Sequence, residues 1–204
     1  RHRGRVTSDA PKGDASRIID VAVVGGGPAG LIAAQRLAQA GRSVVVFEKM
    51  PTFGRKFLMA GRGGLNLTHS EDFERFAGRY DDRAERLRPM LEAFTPADLI
   101  AWAGDLGQET FVGASGRVFP KAMKASPLLR AWLSRLEETG VSLRTRSDWA
   151  GWDVDGALLV DGPDGREAWR PRATILALGG ASWPRLGSDA AWTGLLAGPG
   201  ADIA

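Results

Sequence analysis

A fold built on a parallel α/β unit is predicted by three observations in the 204-residue sequence. The first is a nearly all-apolar run, Ile18-Ile19-Asp20-Val21-Ala22-Val23-Val24, of the kind a strand buried on both faces requires. The second is the hexapeptide Gly25-Gly26-Gly27-Pro28-Ala29-Gly30, which leads into Ala and Leu at helical spacing from Leu31 to Ala40. The third is another buried-strand run, Val44-Val45-Val46-Phe47, followed by Glu48. Strand, turn, helix and strand fit within about thirty residues, the size of a βαβ unit.

Each part of this unit has a physical role. Gly25 permits the tight turn, Gly27 lets a backbone approach a pyrophosphate, and Gly30 allows close helix–strand packing. Pro28 and Ala29 open the helix, whose free N–H groups and partial positive charge suit phosphate. Ala34 is small where the helix lies near the sheet, and Gly41 sits where a helix end favours glycine. Glu48, eighteen residues after Gly30, is placed to accept hydrogen bonds from ribose hydroxyls. An acid there favours the unphosphorylated ribose of FAD or NAD over NADP at this site. A glycine-rich turn that binds nothing is the bland alternative, and the complete register of strand, helix, strand and acid argues against it.

Further along, residues 51–70 read as a long glycine-rich connection without the periodicity of a helix or strand. Helices are predicted at 83–94 and 96–106, the second with Thr95 as N-cap, Pro96 in its first position and Gly107 after its end. Phe111-Val112 and Val118-Phe119 form a hairpin around Gly113–Gly116. Ser126-Pro127 opens a helix through Trp132 and Leu136 that Gly140 closes, and Val141 to Thr145 is a strand. Turns at Asp155-Gly156 and Gly162-Pro163 divide 149–169 into a three-stranded meander packed on the parallel sheet. Thr174 to Leu178 is a separate buried strand ending at Gly179-Gly180. Trp132 belongs to the core, and the wide spacing of the seven tryptophans suits packing rather than base stacking.

Composition narrows the function classes. Hydrophobic residues make up 44% and charged residues 25%, ordinary values for a globular protein. No run of eighteen apolar residues suggests a membrane span, and no secretory leader is recognisable, so a cytoplasmic protein is the expectation. With no cysteine there can be no disulfide, thiolate ligand or redox thiol pair, and two histidines make a His-rich metal site improbable. The net charge of +3 is matched by residues 1–17 alone, where Arg1, Arg3, Arg5, Lys12 and Arg17 face Asp9 and Asp14. That segment reads as a solvated tail or a basic arm. Inside the body, no acid lies between Glu48 and Glu71 or between Glu109 and Glu137, whereas 148–167 is acidic. Such a distribution can present a positive site to an anion. The basic stretch 117–135 has three readings: a solvated face, a docking surface for an anionic partner such as RNA or NADPH, or a domain interface.

The flavin reading rests on three segments. Gly25–Gly30 with Leu31, Ala33, Ala34, Glu48 and Lys49 resembles two-dinucleotide-binding flavoproteins more than nicotinamide dehydrogenases. The late strand Ala173 to Gly180 fits a second hallmark of those flavoproteins, a small residue and glycine passing close to the cofactor, here Ala177 and Gly179. The third segment is Gly54-Arg55-Lys56-Phe57-Leu58-Met59-Ala60-Gly61-Arg62-Gly63-Gly64-Leu65-Asn66-Leu67-Thr68-His69-Ser70. With the string Phe111 to Lys121 and its continuation Lys124 to Leu133, it resembles the BaiN-like (YhiN-like) NAD(P)/FAD-dependent oxidoreductases, in a sub-branch carrying this Ala-Gly-Arg-Gly-Gly-Leu-Asn-Leu-Thr-His-Ser loop. The resemblance covers roughly residues 18–204.

Read physically, Gly61, Gly63 and Gly64 let backbone N–H groups converge on an anion. Arg55, Lys56 and Arg62 add positive charge, and the Asn66 amide can both donate to and accept from a flavin edge. A flexible surface loop is the competing reading. Thr68 and His69 suit packing or capping better than catalysis. The wider family carries three glycines followed by Arg-Cys-Asn; here the Arg comes earlier and Leu65 replaces the Cys, so no thiol can act beside the flavin.

The resemblance implies a Rossmann-like FAD/NAD(P)-binding α/β domain of three layers with a β-meander. Expected boundaries are a basic tail at 1–17, the FAD-binding domain at 18–186, and the beginning of an inserted substrate domain at 187–204. Family members are about twice this long, so the chain is expected to be an N-terminal half. The implied activity is FAD-dependent oxidoreduction with NAD(P)H as donor, reducing a carbon–carbon double bond in a small molecule or in an RNA uracil. No catalytic residue is assigned. The rivals are a nicotinamide-only dehydrogenase and a noncatalytic nucleotide-binding module.

Overall fold

The computed structural model describes residues 18–187 and 189–197; the tail expected at 1–17 lies outside the described residues. In chain order the elements are β1 (Ile18–Val24), α1 (Pro28–Gln39), β2 (Val44–Glu48), α2 (Arg55–Ala60), β3 (Thr68–His69), α3 (Phe73–Gly78), α4 (Ala84–Ala93), α5 (Pro96–Asp105), β4 (Thr110–Val112), β5 (Arg117–Pro120), α6 (Ala125–Glu138), β6 (Ser142–Thr145), β7 (Asp148–Trp152), β8 (Leu158–Gly162), β9 (Gly165–Leu176) and α7 (Thr193–Ala197). Two compact units result: one runs through Phe53 and resumes at Thr139, and the other is Gly54–Glu138.

The first unit is a six-stranded mixed sheet in the order β6-β2-β1-β9-β8-β7. β1 pairs in parallel with β2 and β9, and β2 with β6, while β8 and β7 continue the sheet antiparallel. Paired residues of parallel strands share a face, so Val23 and Val46 lie on the side of α1 with the buried Leu31 and Ala34. On the opposite face Ala22, Val24, Val45 and Phe47 pack with Trp149, Leu158, Val160 and Trp169 of the meander. Phe47 meets Trp169 edge-on at 5.2 Å between ring centroids, a favoured aromatic geometry. The meander therefore both extends the sheet and covers one face of it.

Here one expectation is corrected. The third meander strand and the late buried strand are a single twelve-residue element, β9. Its first half pairs with β8, and its second half, Arg170 to Leu176, pairs with β1. Pro171 is tolerated inside it at the point where the strand changes neighbours.

The second unit holds the antiparallel sheet β3-β5-β4 and the helices α2 to α6. The predicted hairpin forms, with the register Phe111↔Phe119 and Val112↔Val118. α6 buries Ala125, Leu128, Leu129, Trp132 and Leu136 on one stripe, with Trp132 edge-on to Trp102 at 4.8 Å. Thr95 accepts from the Asp98 N–H while the Asp98 carboxylate accepts from the Thr95 N–H, a reciprocal cap that starts α5 where expected. The stretch 51–70 is not an unstructured connection: it contains α2, a 3₁₀ turn at Gly61–Gly63 and the two-residue β3. A six-residue helix with no fully buried residue is too short to show a period, which explains the miss.

Candidate cofactor-binding site

In the first unit β1 lies between β2 and β9, so the chain leaves β1 where the sheet order diverges to either side. The crevice at the carboxyl ends of strands flanking such a switch point is where α/β sheets bind ligands. The Gly25–Gly30 turn and the end of β9 meet there. The Ala177 N–H donates to the Val24 carbonyl at 2.8 Å, and the Gly25 N–H donates to the Phe47 carbonyl at 2.8 Å. A side chain at Gly25, whose φ is 111°, would stand 2.3 Å from the Ala177 carbonyl oxygen. The two segments linked by resemblance in the sequence are thus adjoining backbone.

The remaining glycines of the turn divide by what surrounds them. A Cβ on Gly30 would lie 1.9 Å from the Gly25 carbonyl oxygen, and one on Gly26 would lie 2.2 Å from the Phe53 ring and 3.0 Å from Glu48 Cβ. At Gly27 no atom of the described residues, its chain neighbours aside, lies within 4 Å of that position. The missing side chain at Gly27 leaves open space directly before α1, whose first turn has Pro28 and no side-chain cap. The amides of Ala29 and Gly30 are among those a helix start leaves without an intrahelical partner. Open approach, free donors and the helix dipole together fit a diphosphate.

Glu48 ends β2 beside this turn. One of its carboxylate oxygens accepts from the Gly26 N–H and the other from the Met50 N–H, each at 2.8 Å. The carboxylate therefore fixes the turn, and each oxygen retains acceptor capacity for a sugar hydroxyl. The Lys49 ammonium is held at 2.9 Å by both oxygens of Asp189, and this ion pair holds the Asp189 carboxyl below its usual range. Gly179, with φ 69°, is exposed just beyond β9. Phe53, Met50 and Asp189 were not singled out in the sequence. Phe53 stands in an apolar-poor stretch, and Asp189 lies far along the chain.

The second unit carries the other predicted residues. Gly61 is buried, with room for no Cβ because Ala125 Cβ would be 2.6 Å away. Gly64 has φ 109°, and Gly63 faces open space. Lys56, Arg62 and Asn66 are exposed. Leu65, which stands in place of the family's cysteine, is 3% exposed and belongs to the core. His69 is a structural residue. Its Nδ1 accepts from the Glu71 N–H at 3.2 Å, its Nε2 lies 3.0 Å from the Ser115 carbonyl oxygen, and Gly116 leaves space only for its ring. Both ring nitrogens are engaged in contacts within the protein. Of the basic stretch 117–135, Lys121 pairs with Glu109 and Arg135 donates to the Asp105 carbonyl at 2.9 Å.

Residues 19–204 match the HI0933-like protein Rossmann domain family. Among curated proteins, the chain is 28% identical over 173 residues to the ribosomal RNA dihydrouridine synthase of Haemophilus influenzae, a match covering 81% of this chain and 41% of that protein. It is 42% identical over 86 residues to the thiamine thiazole synthase of Pyrobaculum neutrophilum, covering 41% and 32% respectively. The chain therefore spans less than half the length of these relatives. Among solved structures, a flavocytochrome c3 fumarate reductase superposes with a TM-score of 0.62 at 24% identity, over 81% of this chain and 34% of that one. The quinol fumarate reductase of E. coli superposes with 0.61 at 17% identity, over 80% and 33%.

Sheet order, glycine turn and terminal acid define a Rossmann-type FAD/NAD(P)-binding flavoprotein domain. With the family match covering nearly all of its described length, this chain belongs to the HI0933-like proteins, the BaiN/YhiN family that its loops resemble.

Proposed function

We propose that the chain binds FAD and forms the cofactor-holding part of an oxidoreductase that reduces a carbon–carbon double bond with NAD(P)H as donor. The open position at Gly27 before an uncapped helix carries this reading. In it, the amides of Gly27, Ala29 and Gly30 receive the diphosphate, Pro28 presets the helix entry, and Glu48 accepts from the adenosine ribose. Ala177 and Gly179 border the same crevice. In the second unit, Lys56, Gly61, Arg62, Gly63, Gly64 and Asn66 are assigned to cofactor binding on the chemistry of their loop alone. Bound FAD supplies the electron or hydride transfer; the chain supplies position, charge and exclusion of water.

For the substrate, a uracil in ribosomal RNA is the reading supported by the Haemophilus influenzae relative, whose name is ribosomal RNA dihydrouridine synthase. An unsaturated small molecule is the other member of the same reaction class. Expression with ample riboflavin, followed by a visible spectrum and analysis of nucleotide released on denaturation, tests the cofactor. A yellow protein releasing FAD is expected. A colourless protein releasing only NAD would identify a nicotinamide enzyme instead.

A further inference from the structure

The second unit contains a cavity of about 510 Å³, of whose lining the cofactor reading uses Asn66 alone. Its size falls within the range of small-molecule sites. Its apolar walls include Phe76, Tyr80, Phe94 and Leu99, with Phe76 and Tyr80 edge-on at 6.0 Å. Among the described residues two guanidinium groups line it, those of Arg79 and Arg117, and no carboxylate does.

The two cations are not equivalent. Arg79 is spent: its Nε and Nη2 clasp both oxygens of Glu71, at 2.5 and 2.9 Å. That bond holds the Glu71 carboxyl below its usual range, so Glu71 stays ionised and its charge is balanced by Arg79. His69 on the same wall has both ring nitrogens engaged. Arg117 has no acidic partner among the described residues and is exposed at the cavity. The exposed Asn66 amide is a further polar group of the lining, which also includes Thr68 and Tyr80.

We propose that this cavity is a binding site for an aromatic or unsaturated carboxylate, with Arg117 clasping the carboxylate and the aromatic walls receiving the apolar body. One uncommitted guanidinium presents two parallel N–H donors, which match a carboxylate. A phosphate dianion would call for more positive charge than the cavity leaves uncommitted. The site lies wholly within the second unit, and its assignment does not depend on FAD.

The test uses the whole chain and trans-cinnamate as probe, with cinnamamide and phenyl phosphate as controls, read by isothermal titration. Cinnamate should bind, and cinnamamide should bind at least about tenfold more weakly, the loss expected for a charge-assisted hydrogen bond. Arg117→Gln should weaken cinnamate by a similar factor, Arg117→Lys should recover part of the loss, and Leu99→Trp should abolish binding by filling the cavity. Melting temperature and FAD binding, measured on the same samples, should stay at wild-type values in the Arg117 variants. The proposal is overturned if cinnamate does not bind, if Arg117→Gln or cinnamamide binds as well as the original pair, or if phenyl phosphate binds more tightly than cinnamate. Loss of FAD binding with cinnamate binding intact would refute the cofactor reading and leave this one standing.

Discussion

The turn Gly25–Gly30 in the first unit and the loop Gly61–Gly64 in the second are both rich in glycine, yet different things hold them. In the turn, Gly25 and Gly30 are confined by backbone carbonyls and Gly26 by an aromatic ring and the Glu48 side chain. In the loop, Gly61 is confined by Ala125, whereas a side chain at Gly64 would meet the flexible end of Met123 and, at 3.7 Å, the Phe119 ring. Each segment has one glycine with no neighbour, Gly27 in the turn and Gly63 in the loop. A glycine motif therefore contains residues required by the fold and residues that only a ligand could require. The first kind should cost stability when replaced, and the second should cost affinity.

The sharpest test of that division is Gly30→Ala. The added methyl would overlap a carbonyl oxygen at 1.9 Å that belongs to the turn itself. A loss of about 3 kcal/mol or more is expected, beyond the usual range for overpacking, and denaturant unfolding would measure it. A variant as stable as the parent would show that the turn is not held as described.

Gly26→Ala comes next, at about 1–3 kcal/mol, because a ring can shift where a backbone cannot. Phe53→Ala removes the obstacle as well as its own packing. The double variant should therefore be less destabilised than the sum of the two singles, by about 1 kcal/mol. Strict additivity would mean that Phe53 does not support the turn.

A smaller effect is expected from pH. In the second unit, Arg79 holds the Glu71 carboxyl below its ordinary value of about 4.5. A carboxyl lowered by folding stabilises fully above that ordinary value and loses its contribution as pH falls through the folded one. Melting temperature should therefore decline on acidification below about pH 4.5 more steeply in the parent than in Glu71→Gln. Equal slopes would assign the acid sensitivity elsewhere.

The same contrast explains what could be read from the sequence. β1, α1 and β2 were legible because long apolar runs, a proline in the first helical turn and a terminal glycine act locally. Gly25, Gly27, Gly30 and Glu48 are legible as a candidate site for the same reason. α2 and β3 were missed because six and two residues carry no measurable period. The continuity of β9 was obscured by Pro171, which sits where its partner changes from β8 to β1. Phe53 and Asp189 act through contacts made only by tertiary folding, so no spacing could reveal them.

The most direct measurement is FAD titration of the parent and Gly27→Ala, with the melting temperature of each protein before FAD is added. Since a methyl at Gly27 meets no atom of the described residues within 4 Å beyond its chain neighbours, the melting temperature should be unchanged. If a diphosphate occupies that space, affinity for FAD should fall about tenfold or more, the factor that corresponds to 1.4 kcal/mol. Unchanged affinity in a normally folded Gly27→Ala protein would contradict the account.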